Sequence, residues 1–203
     1  EDFVEQLFIT TTHHYLMVFT NKGRAYRLKV HEIPEAGRQA KGTAIVNLLS
    51  LTGEDKVAAV IPVKEYTDDL YLFMATAKGI VKKSVLSEYD SSRRDGLIAI
   101  NLDADDELIG VKLTSGSEEI VLSTSKGAAI RFNEEDVRPM GRTATGVRAI
   151  RLDEGDEVIA MATCEEGGYL LTVTENGQGR RTALGEYRTQ NRGGRGVRNY
   201  DCE

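Results

Sequence analysis

Short runs of apolar residues that end in glycine-containing turns recur along the chain. Four of these runs are followed by a Thr-x-x-Gly sequence, and the four turns are Thr20–Gly23, Thr76–Gly79, Thr124–Gly127 and Thr174–Gly177. Glycine at the last position of a tight turn allows the positive φ angle that a β-hairpin requires. Each segment therefore predicts a strand, a tight turn and a second strand.

Two further elements keep the same spacing as the hairpins. A glycine followed by alternating apolar residues occurs at Gly42, Gly96, Gly146 and Gly196. An acidic turn followed by apolar residues begins at Asp55, Asp106 and Asp156, and we expect residues 1–4 to be its copy in the first repeat. Elements that recur together about every 50 residues indicate one repeated unit of about four short strands.

This repeat predicts an all-β, propeller-like fold. A single four-stranded sheet of that size is marginal on its own, whereas radial packing against similar sheets covers its faces. A β-sandwich or barrel is the alternative, but neither requires repeats that stay in phase. We expect one domain over residues 1–203, with approximate repeats 1–53, 54–103, 104–153 and 154–203.

Composition sets broad limits on function. The formal net charge of −6 and the pI of about 5.3 argue against a nucleic-acid partner unless positive charge is segregated on one surface. The two cysteines do not make a disulfide framework and indicate a reducing, cytoplasmic setting. No apolar stretch reaches the ~18 residues of a membrane span. Because the chain does not begin with Met, we expect a piece of a longer protein.

Basic residues recur at two positions of the repeat. The first position lies four residues after each turn glycine and holds Arg27, Lys83, Arg131 and Arg181. The second lies four residues before the second glycine and holds Arg38, Arg142 and Arg192, while the second repeat has Ser92 there, followed by Arg93 and Arg94. Other basic residues near these positions are Lys41, Lys82, Arg148, Arg180, Arg195 and Arg198.

The recurrence of basic residues predicts a nucleic-acid partner. A lone surface Lys or Arg usually maintains solubility, but a position that is basic in every repeat predicts a band of positive charge. Residues 177–200 show the segregation, with six arginines against a single acidic residue, Glu186. Such a band fits duplex DNA. Since no recognition helix or base-reading motif occurs, we expect phosphate contacts with little sequence preference.

Motifs of catalysis and metal binding are missing from the sequence. His13, His14 and His31 have no partners at metal-ligand spacing, and the acidic cluster at 103–107 lacks the spacing of a calcium loop. No nucleophile–base set, phosphate-binding loop or dinucleotide fingerprint occurs. We therefore expect a binding module with no catalytic residues, no metal site and no cofactor.

Several stretches together carry a family resemblance. They are residues 1–5 (EDFVE), 23–30 (GRAYRLKV), 34–38 (PEAGR), 45–49 (IVNLL), 73–77 (FMATA), 106–111 (DELIGV) and 142–148 (RTATGVR). On these stretches, the chain resembles the C-terminal DNA-wrapping domain of the A subunit of bacterial DNA gyrase. The resemblance extends over essentially the whole chain.

The resemblance implies a β-pinwheel, a propeller variant in which blades exchange strands. The family usually has about six blades, and about four are expected here. The resemblance also implies that DNA wraps around the outer edge, so that the parent ATP-dependent type II topoisomerase introduces negative supercoils. ATP, Mg²⁺ and the DNA-cleaving tyrosine would then act in other domains.

The resemblance implies partners and a location as well. The expected partners are double-stranded DNA and, in an A2B2 holoenzyme, the rest of the gyrase A subunit together with the gyrase B subunit. The chain itself is expected to be monomeric. Its expected location is the bacterial cytoplasm, at the nucleoid and away from membranes.

A Gly-rich basic loop resembles a motif that the family needs for wrapping. That motif, Gln-Arg-Arg-Gly-Gly-Lys-Gly, belongs to the first blade, and the similar loop here comprises Gln190, Asn191, Arg192, Gly193, Gly194, Arg195 and Gly196. Asn191 departs from the motif, and Arg195 is a conservative change for phosphate contact. Because residues resembling the start of the family domain would normally follow the motif, we interpret 190–196 as a later, box-like copy. Adjacent glycines allow close backbone approach and expose N–H groups to an anion.

Two alternatives remain open from the sequence. One is the related C-terminal domain of the topoisomerase IV A subunit, which lacks a true box. The sequence that precedes Glu1 in the whole protein would distinguish it from gyrase. The other is a propeller that serves as a protein-interaction scaffold, for which DNA binding itself is the discriminating observation.

Overall fold

The computed structural model describes residues 6–93, 95–164 and 168–200. Its strands are β1 (Tyr15–Thr20), β2 (Arg24–Lys29), β3 (Val57–Val63), β4 (Tyr71–Thr76), β5 (Ile80–Val85), β6 (Leu97–Ile98), β7 (Leu108–Thr114), β8 (Glu119–Thr124), β9 (Ala128–Asn133), β10 (Val147–Arg148), β11 (Val158–Thr163), β12 (Tyr169–Val173), β13 (Gly179–Ala183) and β14 (Val197–Arg198). Helical turns are α1 (Ile45–Leu48) and the 3₁₀ helices Val30–Glu32, Leu86–Tyr89, Glu134–Asp136 and Leu184–Glu186. Within the described ranges, no helix is long and apolar enough to cross a membrane.

The strands form antiparallel sheets that follow the repeat. In order across each sheet, the first is β3-β1-β2-β6, the second β7-β4-β5-β10 and the third β11-β8-β9-β14. Among the described residues, the fourth sheet consists of the β12–β13 hairpin. The prediction of an all-β repeat fold is confirmed. Three of the sheets have the four strands that the sequence predicts, and the described part of the fourth sheet has two.

Neighbouring repeats exchange strands. The last strand of each four-stranded sheet is a two-residue strand from the following repeat, as in the pairing of Ile98 with Arg24 and of Arg148 with Ile80. Gly146 precedes one of these short strands with φ +107°, and a Cβ there would lie 2.4 Å from the carbonyl oxygen of Val81. Glycine is therefore required where the exchanged strand approaches its neighbour. The sheets consequently do not coincide with the sequence repeats.

The first repeat departs from this pattern. A short strand is expected from the sequence after Gly42, but the segment contains α1, from Ile45 to Leu48. Ile45 and Leu48 pack against an apolar cluster that includes Tyr26 and Leu28. No short strand forms there, and Ile45 and Leu48 are instead half-buried against the first sheet.

The apolar core lies between the faces of adjacent sheets. Met17, Phe19, Leu72, Met74 and Ile100 belong to the core between the first and second sheets. The core between the second and third sheets contains Phe73, Ile120, Leu122, Ile130 and Phe132. Strands β3, β7 and β11 lie side by side along the inner edge, so the exchanged strands β6, β10 and β14 occupy the opposite, outer edge.

Candidate nucleic-acid interface

The outer edge carries exposed arginines. The short strands β10 and β14 end in Arg148 and Arg198, whose side chains are exposed, and β6 has Ile98 at the same position. The predicted DNA-contacting residues that are exposed are Arg38, Lys41, Arg93, Arg148, Arg180, Arg181, Arg192, Arg195 and Arg198. Arg94 lies outside the described residues.

Three of the basic residues that follow the turn glycines contact the next blade. Arg27 pairs with Asp90 at 2.7 Å, just after the 3₁₀ helix of the second repeat. Its guanidinium carbon lies 4.7 Å from the ring centroid of Tyr15 and 5.7 Å from that of Tyr66. Burial raises the pKa of the Tyr66 hydroxyl to about 12, although the nearby Arg27 charge opposes the shift. Most of the Arg27 surface is thus used within the protein.

Equivalent contacts occur at the next two junctions. Lys83 is buried, donates a hydrogen bond of 3.0 Å to the backbone carbonyl of Glu134 and lies 3.7 Å from its carboxylate. Arg131 is half-buried, donates to the carbonyl of Leu184 at 2.7 Å and pairs with Glu119. Each contact reaches the 3₁₀ helix of the following repeat. A repeated contact between blades therefore explains why Arg27, Lys83 and Arg131 are basic in phase.

Two of the predicted DNA contacts need correction. Lys82 and Lys83 are 0% and 3% exposed, so neither can contact a phosphate at the surface in this structure. The Lys82 amino group lies 3.2 Å from the Tyr89 hydroxyl and donates to the carbonyls of Ala99 and Arg142. Burial lowers the pKa of Lys82 to about 7, with Glu88 opposing the shift and Arg142 adding to it. Hydrogen bonding to internal acceptors and packing between sheets hold both lysines inside.

The second recurring arginine also joins neighbouring repeats. Arg142 donates to the carbonyl of Ile98, and Arg192 donates to the carbonyl of Arg148 at 3.0 Å. Arg192 also donates to the carbonyl of Asp136 at 2.9 Å. These arginines attach the loop before each glycine to the outer strand of the preceding repeat. Arg142 is half-buried, while Arg192 remains exposed beside the outer edge.

The box-like loop is fixed by its backbone. The Gln190 N–H donates to the carbonyl of Arg131 at 2.8 Å, and the Gly193 N–H donates to that of Ala149 at 2.6 Å. Gly193 has φ +87°. Because the Gly193 N–H is used internally, it is not available to an anion, contrary to the expectation from the sequence. The exposed side chains of Asn191, Arg192 and Arg195 are the groups that the loop offers to a partner.

Other exposed arginines were not in the predicted set. Arg138 and Arg188 lie just after the third and fourth 3₁₀ helices, and both are exposed. Each lies eleven residues after the turn glycine of its repeat. This shared position in the repeat is the sequence signal that could have identified them as candidates. Arg151 is also exposed, next to the buried Ile150.

The acidic turns support the hairpins. Asp156 accepts hydrogen bonds from the N–H groups of Lys126 and Glu157 and from the Ser125 hydroxyl. Partial burial alone would raise its pKa, but these bonds, with one from Thr124, hold the pKa of Asp156 below its ordinary value. Asp106 accepts from the N–H of Lys78 in the same way, at 3.0 Å. The recurrence of these acids therefore has a structural cause.

Comparison with known families identifies the repeat. A family model described as the DNA gyrase C-terminal domain, beta-propeller, matches residues 14–64, 70–115, 118–165 and 168–201. The DNA gyrase A subunit of Clostridium acetobutylicum is 53% identical over 200 residues, which cover 98% of this chain and 24% of that protein. Its Salmonella typhimurium counterpart is 48% identical over 197 residues, or 97% of this chain and 22% of that protein. The chain thus spans about a quarter of the length of these relatives.

Solved structures agree with the sequence relatives. The C-terminal domain of DNA topoisomerase IV superimposes with a TM-score of 0.86 and 31% identity, covering 92% of this chain and 58% of that one. The DNA gyrase A C-terminal domain gives a TM-score of 0.76 and 29% identity, covering 93% and 60%. The family model matches most of the chain, and the strands it covers are those of the sheets described above. The chain therefore belongs to the DNA gyrase C-terminal domain family.

Proposed function

We propose that this chain binds duplex DNA along the outer edge of its pinwheel, without sequence preference, and bends the duplex around that edge. The observation that supports this most directly is the placement of Arg148 and Arg198 on successive exchanged strands. Side chains at equal positions of successive blades form a track of positive charge, and contacts of such side chains with phosphates bind the DNA backbone without reading its sequence. The exposed loop arginines Arg192 and Arg195 extend the track between blades.

Charge segregation makes this compatible with a net charge of −6. The acids at Asp106 and Asp156 are engaged with hairpin turns, whereas the outer strands and the loops before them present arginine. A polyanion responds to the local field of the surface it approaches, more than to the sum of all charges. The outer edge is therefore the favoured side for DNA.

Binding itself is tested by titrating two unrelated duplexes of equal length in gel-shift assays at low salt. We expect similar affinities for both duplexes and a linear fall of log K with log salt, because released counterions dominate phosphate binding. A strong preference for one sequence would contradict backbone recognition. Failure to bind either duplex at low salt would contradict the proposed function.

In the whole protein, we propose that this domain supports negative supercoiling by an ATP-dependent type II topoisomerase. The A subunit would act with a B subunit in an A2B2 assembly in the bacterial cytoplasm, and ATP and Mg²⁺ would act in other domains. The test is to religate nicked plasmid with the domain bound and to measure the linking number. A change of linking number is expected for chiral wrapping, and binding without any change would contradict it.

A second candidate is the same role in the topoisomerase IV A subunit. The higher TM-score of that domain, 0.86 against 0.76, favours it, while the sequence relatives at 48% and 53% identity are gyrase A subunits. A Gln-Arg-Arg-Gly-Gly-Lys-Gly sequence upstream of Glu1 in the whole protein would decide for gyrase.

A further inference from the structure

The amino group of Lys82 is buried close to the outer edge of the second sheet. Lys82 directly follows Val81 on β5, and Val81 pairs with Val147 of the outer strand β10. The amino group donates hydrogen bonds to the carbonyl of Ala99, just after β6, and to that of Arg142, in the loop that leads to β10. Both acceptors therefore belong to segments that carry an outer strand, and they come from two different repeats.

The fold does not require an amino group at this position. Three residues after the turn glycine, the first repeat has Tyr26 and the third has Ile130, which is buried in the core between the second and third sheets. Burial of a charge costs free energy unless the charge is paired. Among the ion pairs of the described ranges, none includes Lys82, and the Glu88 carboxylate accepts the backbone N–H of Arg142 instead, at 2.7 Å. Carbonyl and hydroxyl dipoles therefore take the place of an ion pair.

The groups around Lys82 leave its own amino group as the one that can change charge near neutral pH. Burial lowers the pKa of Lys82 to about 7, and of the neighbouring charges, Glu88 opposes the shift and Arg142 adds to it. The Tyr89 hydroxyl stays protonated, because burial raises its pKa. Arg142 keeps its charge at every working pH. The strand beside β5 places Met74 opposite Lys82, and the segment after β6 contributes a backbone carbonyl.

A duplex on the outer edge would act on this buried amine without touching it. Neighbouring strands lie about 4.8 Å apart, and the screening length in about 0.1 M salt is about 10 Å. Because β5 is next to β10 in the second sheet, phosphates bound over β10 would lie within range of the Lys82 amino group. Nearby negative charge favours the protonated form of an amine.

We propose that binding of DNA to the outer edge is coupled to the uptake of a proton by the buried amino group of Lys82. The inference rests on the proposed DNA binding and adds a dependence on pH to it. By linkage, a ligand that favours the protonated amine binds more tightly where the amine is already protonated. The contribution of Lys82 to DNA affinity is therefore complete below about pH 7, and it is lost as the pH rises until the amine is neutral in the complex as well.

The pH profile of duplex binding tests this coupling. The Kd for one duplex is measured at low salt from about pH 6 to about pH 9, for the parent and for Lys82→Met, which replaces the amine with an uncharged side chain. The Kd of the parent should rise about threefold to tenfold more than that of the variant, which corresponds to a pKa higher by about 0.5 to 1 in the complex. Histidines add a pH dependence of their own, but both proteins have the same 3 histidines, so this dependence cancels in the ratio.

Two control variants separate the titration of Lys82 from a simple change of charge. Lys22→Met removes an exposed lysine from a hairpin turn and should keep the pH profile of the parent. Lys82→Arg, which copies Arg180 of the fourth repeat, keeps its charge at every pH and should show the flat profile of Lys82→Met. If the parent and Lys82→Met have the same profile, the coupling is wrong while the proposed DNA binding stands.

The amino group itself can be followed in the parent chain, without any variant. The NMR signal of the Lys82 Nζ in protein with ¹⁵N-labelled lysine reports its titration, and the midpoint should move up by about 0.5 to 1 pH unit when the duplex is bound. A midpoint that does not move would overturn the coupling even if Lys82→Met failed to fold. If the parent binds no duplex at low salt and about pH 6, the proposed function fails first and this inference fails with it.

Discussion

Residue Ile98 interrupts the charge on the outer edge. It occupies the position of Arg148 and Arg198 on an exchanged strand, and its carbonyl accepts a hydrogen bond from Arg142 just as the carbonyl of Arg148 does from Arg192. Because only the backbone is used in that contact, an arginine side chain fits the position. On the proposed DNA path, the first sheet therefore has one cation fewer at this position than the next two sheets have.

Ile98→Arg should strengthen DNA binding. An added phosphate contact is expected to tighten binding about threefold to tenfold at low salt and to make the salt slope steeper by about 0.9. Gel-shift titration across a salt series measures both quantities. Ile98→Gln is the control, since it removes the apolar side chain without adding charge. Equal affinity of the Arg and Gln variants would contradict a DNA path across the first sheet.

Lys82 places an amino group where the other repeats have Tyr26, Ile130 and Arg180. Its pKa is lowered to about 7 in the folded chain by burial, against an ordinary value of 10.5. Above pH 7 the unfolded chain therefore binds more protons at this site than the folded chain. Since stability rises with pH wherever the unfolded state binds more protons, the free energy of unfolding should increase between pH 7 and about 10.

Lys82→Met should remove that increase. The difference in free energy of unfolding between the variant and the parent should shift in favour of the parent by a few kcal/mol as the pH rises from about 7 to about 10, because only the parent gains stability there by releasing the Lys82 proton on folding. Urea unfolding at several pH values measures it. Lys22→Met, at an exposed lysine, is the control and should follow the parent at every pH. A constant difference between Lys82→Met and the parent would show that the Lys82 charge is not lost on folding.

At the scale of elements, recurring basic residues form hydrogen bonds and ion pairs at the junctions between blades. Arg131 joins β9 to the 3₁₀ helix Leu184–Glu186 and pairs with Glu119 on β8. Arg131→Met should destabilise the chain by about 2–4 kcal/mol, because it leaves Glu119 and the carbonyl of Leu184 without this donor. Arg181→Met is the in-phase control. Since Arg181 is exposed and stacks on Tyr169 at 4.5 Å, its loss should cost less than about 1 kcal/mol in urea unfolding.

The exchanged strands depend on their glycines. Gly146→Ala forces an L residue to adopt φ +107° and places a Cβ 2.4 Å from the carbonyl oxygen of Val81, so β10 must leave β5. We expect a loss of about 2–4 kcal/mol in the free energy of unfolding. Gly42→Ala is the control, because nothing lies within 4 Å of a Cβ there. Equal losses for the two variants would mean that strand exchange does not set the cost.

Strand and turn positions could be predicted because their causes are local. A Thr-x-x-Gly turn between apolar runs defines a hairpin whatever its neighbours do, and all four turns lie next to the predicted strands. The segment after Gly42 carries the same glycine and apolar pattern, yet it contains α1. The short strands elsewhere form by pairing with another repeat, which their own local pattern does not specify. Strand exchange joins residues of different repeats, and local pattern does not reveal which edge receives them.

The candidate site was harder to predict, because a basic residue can recur at one position of the repeat for two different reasons. A position that contacts the next blade recurs once per repeat, and so does a position that contacts DNA. Lys83 and Arg131 recur for the first reason, as their bonds to Glu134 and Leu184 show. Arg148 lies at the outer edge instead. Only the direction of the side chain separates the two classes, and it depends on how the sheets stack.

At the scale of the whole molecule, the radial arrangement of sheets in a β-propeller predicts that the outer strands of successive sheets follow a curve. A duplex that contacts Arg148 and Arg198 as well as the first sheet must bend to follow it. Smooth bending of 20–30 base pairs by 40–90° costs on the order of 1–6 kcal/mol, which the added phosphate contacts must offset. In the proposed complex, part of the contact energy is therefore used to deform the DNA.

That cost predicts tighter binding to a flexible duplex. A central two-nucleotide gap removes most of the bending energy but few phosphates, so a gapped duplex should bind about tenfold more tightly than the intact duplex of the same length and sequence. Competition between the two in gel-shift assays measures the ratio, and the salt slopes should stay nearly equal because the number of contacts is unchanged. Duplexes too short to reach two blades are the control and should show no preference. If the long intact and gapped duplexes also bind equally, the DNA crosses the edge as a straight rod, and the arginines of successive blades do not act on one continuous path.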